Sequence, residues 1–446
     1  MLTQYRTVEK VVNDNLCMGC GVCSSICPEN AIQIGMDQKR GYFVPSIDND
    51  ACNYCGQMKN GKCVIVCPGV EVDFQKLGNR WVNGNAEADI LGSFVKTVYA
   101  HSKDENIRYR SSSGGLIPTL LIFALTENII DGAIVVKSDE DNPLIPRGIL
   151  ATTSEEIKAA SGSKYCSAHI GEPLSEILKT DGKYAVVGLP CHIHGIRKWE
   201  QMTPGIAEKI VLHLGLYCAN NNTIFATEYF LWQKYIDPEQ VKNIRYRGKG
   251  WPGNIIVTLK DGTMKEIKRG TTETSWQRKL LFSSAFHYDF QIPRCLTCVD
   301  LTAELADISF ADPWNKRFLL KESKGKSMLV IRNEIGMQLV DKAILNGIIA
   351  SEEADSSEVR LSQNIEFKKR APSRVWIRQI LGLPAPVYKG KSYKKRVWDI
   401  FSYGNYYMSY VTVFPVARLF LPIVRICRWI INSSNRIMKK YFRQGK

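Results

Sequence analysis

Apolar positions along the chain fall into short blocks whose spacing changes from region to region. From Gly114 to Ile129 they recur at helical intervals, which predicts a helix. Asp131-Gly132 then leads into the brief apolar run Ala133–Val136. Tyr184–Gly188 (YAVVG) and Ile210–Leu216 (IVLHLGL) are similar runs bounded by Gly or Pro, as expected of parallel strands covered on both faces. Residues from about 90 to 245 thus read as alternating helix and strand. Ile255–Leu259 and Thr263–Ile267, joined through Asp261-Gly262, predict a hairpin. The pattern changes again near Phe367. Tyr406 to Ile431 is strongly apolar, but Arg418, Arg425 and Arg428 interrupt it. At about 100° per residue, Arg425 lies about 20° and Arg428 about 80° from Arg418, so all three share one helix face.

A chain of 446 residues can hold two or three domains, each with its own core. Its 45% apolar and 23% charged content is that of a globular protein. The net charge of +15 is unevenly placed. Lys368 to Lys446 contains 18 Lys or Arg and one acid, Asp399, which leaves the preceding 367 residues at −2. The excess therefore belongs to a basic appendage, and a nucleic-acid-binding surface over the whole protein is excluded.

The fourteen cysteines carry the chemistry. No apolar secretory segment is read in Met1–Asn15, so tight cysteine clusters are expected to bind metal in the cytoplasm rather than to form disulfides. Cys17, Cys20, Cys23 and Cys27, followed by Pro28, have the spacing C-x2-C-x2-C-x3-C-P. Three closely spaced cysteines let one loop wrap a cluster, while the fourth points away to ligate a second. Cys52, Cys55, Cys63 and Cys67, followed by Pro68, repeat the form with a longer middle gap that includes Asn60-Gly61-Lys62. By this crossover, Cys17, Cys20, Cys23 and Cys67 are expected to hold one [4Fe–4S] cluster, and Cys27, Cys52, Cys55 and Cys63 the other. Zinc sites use two pairs of ligands, which is not this 3+1 form.

Four more cysteines need an account: Cys191 follows a predicted strand in Gly188-Leu-Pro-Cys-His-Ile-His-Gly195, Cys218 follows the one ending at Leu216, and the pair Cys295 and Cys298 comes after an aromatic-rich stretch. They can make a third cluster, since cofactors sit at strand ends in open α/β sheets. Alternatively, Cys191 and Cys218 are ordinary buried core residues.

In order along the chain come Arg110-Ser-Ser-Ser-Gly-Gly115, Gly162-Ser-Lys-Tyr165, Val187–Arg197, Ile244-Arg-Tyr-Arg-Gly-Lys-Gly-Trp251, Arg294-Cys-Leu-Thr-Cys298 and Ala306–Trp314. With the paired cysteine motifs, this series resembles the coenzyme F420 hydrogenase/dehydrogenase beta-subunit family over roughly residues 15 to 315. The resemblance implies FAD beside a third [4Fe–4S] cluster on Cys191, Cys218, Cys295 and Cys298. It implies an α+β ferredoxin-like N-terminal domain (1–75), then an α/β flavin-binding domain (90–365, in halves 90–200 and 200–365). A basic amphipathic helical tail (366–446) follows. Ser111, Ser112, Ser113, Gly114 and Gly115 lead into the predicted helix, either as an anion cradle or as a plain N-cap. Lys164, Arg245, Arg247 and Lys249 are candidate partners for a pyrophosphate or for the flavin N1/C2 edge, against the alternative of solvated cations.

Three residues depart from the family pattern. His192 stands where Gln is expected, Ala311 where Gly precedes Asp312, and Cys166 where a polar or aliphatic residue is usual; Cys166 is read as structural. His192 and His194 could donate protons near a flavin or serve structurally.

The expected function is a flavin-dependent iron–sulfur oxidoreductase, exchanging electrons with a ferredoxin-type donor and acting on an unidentified oxidisable or reducible substrate. The tail, 390–446 in particular, would meet an anionic membrane surface on the cytoplasmic side, or pack on the body or on another subunit. A membrane position would suit a lipid-linked intermediate, as in bacterial surface-polysaccharide assembly. Two rivals remain: a non-catalytic electron-transfer subunit feeding a partner enzyme, and an iron–sulfur regulator contacting nucleic acid, which the Val, Ile and Leu among the tail's cations disfavour.

Overall fold

The computed structural model describes residues 5–57, 60–82, 91–268, 286, 289–363 and 371–391. The ferredoxin-like region is built around β1 (Ile32–Asp37) and β2 (Tyr42–Ile47), an antiparallel pair with Ile32 opposite Ile47. The short helices Val22–Ser25 and Lys62–Ile65 flank this pair and carry cysteines, and β3 (Glu71–Asp73) closes the region.

The remainder is organised on an eight-stranded mixed sheet. In chain order its strands are β4 (Lys96–Ser102), β5 (Gly132–Ser138), β6 (Pro146–Ala151), β7 (Tyr184–Gly188), β8 (Ile210–Leu216), β12 (Ile308–Ala311), β13 (Ser327–Ile331) and β14 (Ile349–Glu353). Their spatial order is β14-β4-β13-β12-β8-β7-β5-β6. Strands β5, β7, β8 and β12 run parallel, and β4 shares their direction because it is antiparallel to β13, itself antiparallel to β12. The predicted runs at 133–136, 184–188 and 210–216 are all strands of this sheet. A separate three-stranded sheet, β11-β10-β9, contains β9 (Val241–Arg245) and the predicted hairpin, β10 (Asn254–Leu259) and β11 (Met264–Lys268), with Ile255 opposite Ile267.

Both faces of the large sheet are covered, which is why its strands read as unbroken apolar runs. Ile134 and Val186 face the core under helix Pro190–Met202, whereas Ala133, Val135 and Ala185 face helices Leu116–Thr126 and Glu334–Leu345. Neighbouring strand residues alternate faces, as the pleat requires. The first of these cores also takes in Val22, Val66 and Val72, so the ferredoxin-like region shares a core with the sheet. Gly21 permits the close approach: its φ is +86°, and a Cβ there would lie 2.8 Å from the Gly171 nitrogen.

Residues 371–391, grouped by composition with the tail, pack on this body. Helix Ala371–Ile380 places the Arg374 Nη1 on the Leu296 carbonyl at 2.7 Å. Strand β15 (Val387–Lys389) pairs in parallel with β3. The apolar stretch Tyr406–Ile431 and the rest of 392–446 lie outside the described residues. Among the described residues no helix is long and apolar enough to cross a membrane.

Candidate functional site

Cys17, Cys20 and Cys23 lie on or beside the first turn of Val22–Ser25, and Cys67 follows Lys62–Ile65. These four line one cavity with Gly19 and Pro68. Burial, and then Cys67 close by, push the Cys20 thiol up to about 12; Cys17 and Cys23 are also raised strongly, first by burial. Buried thiols held together yet resisting ionisation fit a metal cluster, whose positive charge would convert them to thiolates. Cys63 is likewise pushed up to about 12, by burial and by Cys55. Cys27 shares the apolar core of Cys63, and the Asn53 amide donates to Glu29 at 2.7 Å, tying the loop of Cys52 and Cys55 to the chain beyond Cys27. Cys23 lies beside both groups, with Cys63 among its neighbours. Among the described residues no three His, Cys, Asp or Glu side chains group as ligands of a single ion.

The parallel strands deliver the central cysteines to one edge of the large sheet. β7 ends into helix Pro190–Met202, whose first turn carries Cys191, and β8 ends just before Cys218. Cys295 and Cys298 sit in and just after the 3-10 turn Pro293–Thr297. The Cys191 thiol is raised by burial, then by Cys20, Cys218, Cys295 and Cys298. It therefore adjoins all three other central cysteines and one cysteine of the N-terminal set. The Asn221 N–H donates to Cys295 Sγ at 3.4 Å, a backbone contact of the kind that tunes clusters.

Two cations, the buried Arg294 and the half-buried Lys198, join these groups. Arg294, 2% exposed, donates to the carbonyls of Gly69 and Pro68 at 3.1 Å each and to Thr297 Oγ1 at 3.2 Å. Lys198 donates to the carbonyls of Cys67 (2.8 Å) and Glu71 (2.7 Å). Burial pushes Lys198 down to about 8, against the opposing pull of Cys67, Glu71 and Cys20.

Both candidate histidines are interior. His192 Nδ1 accepts from the Leu189 N–H at 3.2 Å, and burial pushes the imidazole down to about 4, so it is neutral near pH 7. His194 Nε2 lies 2.8 Å from Asp300 Oδ2. Asp300 in turn accepts from the N–H groups of Thr302 (2.8 Å) and Glu304 (3.0 Å), fixing the chain beyond Cys298. Cys166 contacts the Leu144 carbonyl and the Tyr246 hydroxyl, each at 3.5 Å, in an interior position.

At the same sheet edge, the chain after β4 forms the Ser111–Gly115 loop and then enters helix Leu116–Thr126. Gly115, with φ +72°, is the N-cap and supplies no side-chain cap. Gly114 is wedged so tightly that a Cβ would lie 2.7 Å from both the Ala100 oxygen and the Ser327 nitrogen. Ser112 Oγ accepts from the Ser163 N–H at 2.7 Å, Ser111 Oγ lies 3.0 Å from Ser161 Oγ, and Ser113 Oγ donates to the Lys326 carbonyl at 2.6 Å. Lys164 follows in the same hydrogen-bonded loop and donates to the Ala160 carbonyl, while Arg245 donates to the Arg110 carbonyl.

The four basic candidates separate by their partners. Arg247 is bidentate on Asp312, at 2.5 and 3.0 Å, and Lys249 pairs with Glu266 at 2.6 Å on an exposed hairpin. Lys164 and Arg245 have no ion pair with a carboxylate among the described residues. Burial and then Arg245 push Lys164 down to about 7; burial and then Arg110 lower Arg245. Three cations pressed together without an acid, next to an uncapped helix start, suit an anion such as a pyrophosphate. Arg110, the first residue of the Arg110–Gly115 motif, completes this set.

Residues 16–70 match the 4Fe-4S dicluster domain model. Residues 97–175 and 181–357 match the N-terminal and C-terminal models of the coenzyme F420 hydrogenase/dehydrogenase beta subunit. The coenzyme F420 hydrogenase subunit beta of Methanothermobacter thermautotrophicus is 28% identical over 67% of this chain and 99% of its own. The coenzyme F420-dependent sulfite reductase of Methanocaldococcus jannaschii is 23% identical over 82% of this chain and 52% of its own. A chain of the F420-reducing [NiFe] hydrogenase complex from Methanosarcina barkeri shares the fold with a TM-score of 0.52, at 23% identity over 69% of this chain and all of that one. With a 4Fe-4S region leading into both halves of the matched domain, the chain belongs to the coenzyme F420 hydrogenase/dehydrogenase beta-subunit family, as an iron–sulfur protein of the electron-transfer type.

Proposed function

We propose that this protein is a flavin-dependent iron–sulfur oxidoreductase that exchanges electrons with a ferredoxin-type donor. The observation that carries the reading is the position of Cys191, close enough to Cys20 and to Cys218, Cys295 and Cys298 for all four to act on its thiol. A third cluster on those four would continue the N-terminal pair toward the sheet edge that holds Ser111–Gly115. FAD, when bound there, would supply the exchange between one-electron and two-electron chemistry.

This chain's own residues do the rest. Lys164, Arg245 and Arg110 would bind the pyrophosphate. Ser111, Ser112 and Ser113, anchored to 161–163 and to Lys326, hold the loop rigid, and Gly114 and Gly115 let the backbone come close. Arg247, neutralised by Asp312, and His194, paired to Asp300, would orient the loops around the cofactors. Arg294 fixes the third cysteine group against the first.

A second reading has its own support, since the M. thermautotrophicus relative is named as a subunit of a hydrogenase. On that reading the chain feeds a partner enzyme and has no substrate of its own. Iron, acid-labile sulfide and flavin per chain after anaerobic purification test both. About 12 irons, four for each of three clusters, with one FAD are expected. About 8 irons with no flavin would overturn the flavoenzyme reading and leave the relay.

The tail is part of the proposal. Its cations and apolar residues suit peripheral attachment to the cytoplasmic face of a membrane, where a lipid-linked intermediate of surface-polysaccharide metabolism would be within reach.

A further inference from the structure

Helix Pro190–Met202 begins at the central cysteines and, two turns on, places Lys198 against the ferredoxin-like region. Its ammonium donates to the carbonyl of Cys67 itself at 2.8 Å and to that of Glu71 at 2.7 Å. Cys67 and Cys20, both lining the first cavity, are among the charges nearest to it. Two features distinguish Lys198 from a surface lysine. It is half-buried, and both of its hydrogen-bond acceptors are neutral carbonyls; the nearby Glu71 carboxylate is itself paired with Lys389 at 2.8 Å. Adding an electron to a cluster adds negative charge, and a nearby cation away from bulk water favours the reduced form.

We infer that Lys198 raises the reduction potential of the cluster on Cys17, Cys20, Cys23 and Cys67, making it the electron-holding step between the second cluster and the central cysteines. The inference rests on the cluster assignment proposed above. Lys198 here is a tuning residue, acting through charge and without contact to substrate.

Two roles are separable by substitution. Lys198→Gln keeps a hydrogen-bond donor and removes the charge; Lys198→Met keeps the length and removes both; Lys198→Arg keeps the charge. The anaerobic protein, with its iron content measured first, is titrated potentiometrically while the reduced clusters are followed by electron paramagnetic resonance. Fewer than about 8 irons in the unmodified chain would overturn the cluster assignment itself. With clusters present, Lys198→Gln is expected to lower the reduced-to-oxidised ratio of one cluster at least tenfold at fixed potential, about 59 mV for one electron. Lys198→Arg is expected to stay within threefold of the unmodified protein. If Lys198→Gln does not assemble, Lys198→Met is titrated with the same expected loss. An unchanged midpoint in the charge-removing variant, or equal shifts in the Gln and Arg variants, would overturn the inference.

Discussion

The Arg294 guanidinium donates to the Pro68 carbonyl at 3.1 Å across 226 residues of sequence. This bond joins the residue before Cys295 to the residue after Cys67, so one buried cation sets the spacing of two cysteine groups. Arg294→Ala would leave the Pro68 and Gly69 carbonyls without this donor and open a cavity. A loss of about 3 kcal/mol of stability is expected, read by denaturant unfolding under anaerobic conditions. An effect under about 1 kcal/mol would mean that the two groups are held by other contacts.

The cysteine groups are expected to be separable by mutation. Cys191→Ser should lower iron by about 4 per chain and leave the other clusters' spectra in place. Cys20→Ser should disturb the first cluster and, through its proximity to Cys191, alter the third's magnetic coupling. Iron analysis alongside electron paramagnetic resonance of both variants gives the check.

Lys164 supplies a pH dependence whose sign follows from its depressed pKa. Folding brings the ammonium from its ordinary value near 10.5 to about 7, so between those limits the unfolded chain binds more protons. Its contribution to stability is therefore greatest above about pH 10 and is lost as pH falls toward 7. The melting temperature of flavin-free protein, minus that of Lys164→Met at the same pH, should rise from pH 7 to pH 9.5. Bound FAD should flatten this difference by supplying the missing negative charge. A flat difference without flavin would refute the burial of an unpaired cation here.

At the far end of helix Pro190–Met202, Arg197 binds Glu200 at 3.0 Å and Asp307 at 2.7 Å, and His213 binds Glu200 at 2.8 Å, all of them buried. Asp307→Ala would remove one of the two buried carboxylates and leave Arg197 and His213 sharing Glu200. The expected cost is about 3–5 kcal/mol, detected by thermal unfolding, whereas an exposed pair such as Lys10–Asp14 should cost under about 1 kcal/mol.

Removing residues 392–446 should weaken binding to anionic vesicles at least tenfold, and added salt should weaken the intact protein likewise. Equal vesicle binding with and without the tail would remove the membrane from the proposed function.

Much of the frame was legible because it depends on local pattern. Tyr184–Gly188 and Ile210–Leu216 announced buried parallel strands through unbroken apolarity, and the cysteine spacing announced cluster loops. Partners far apart in sequence left no such trace. Arg247 and Lys249 looked like two more anion ligands until folding set Asp312 and Glu266 beside them. Arg110, Lys198 and Arg294 acquire their significance only from carbonyls and charges brought in by other segments, and no periodicity encodes that. For residues 371–391 the packing alternative applies, since their cations Arg374 and Arg378 are spent on the carbonyls of Leu296 and Pro384.

The pairing of β15 with β3 has a consequence for biogenesis. Val387 must align with Glu71, so the ferredoxin-like region acquires its last strand neighbour only after more than three hundred further residues have been synthesised. The first cysteines to leave the ribosome are thus among the last to be locked in place. Iron insertion into them would favour a finished or nearly finished chain, since long-range closure is slow. Ribosome-bound chains stalled at residue 386 should accordingly retain less iron than chains released at full length.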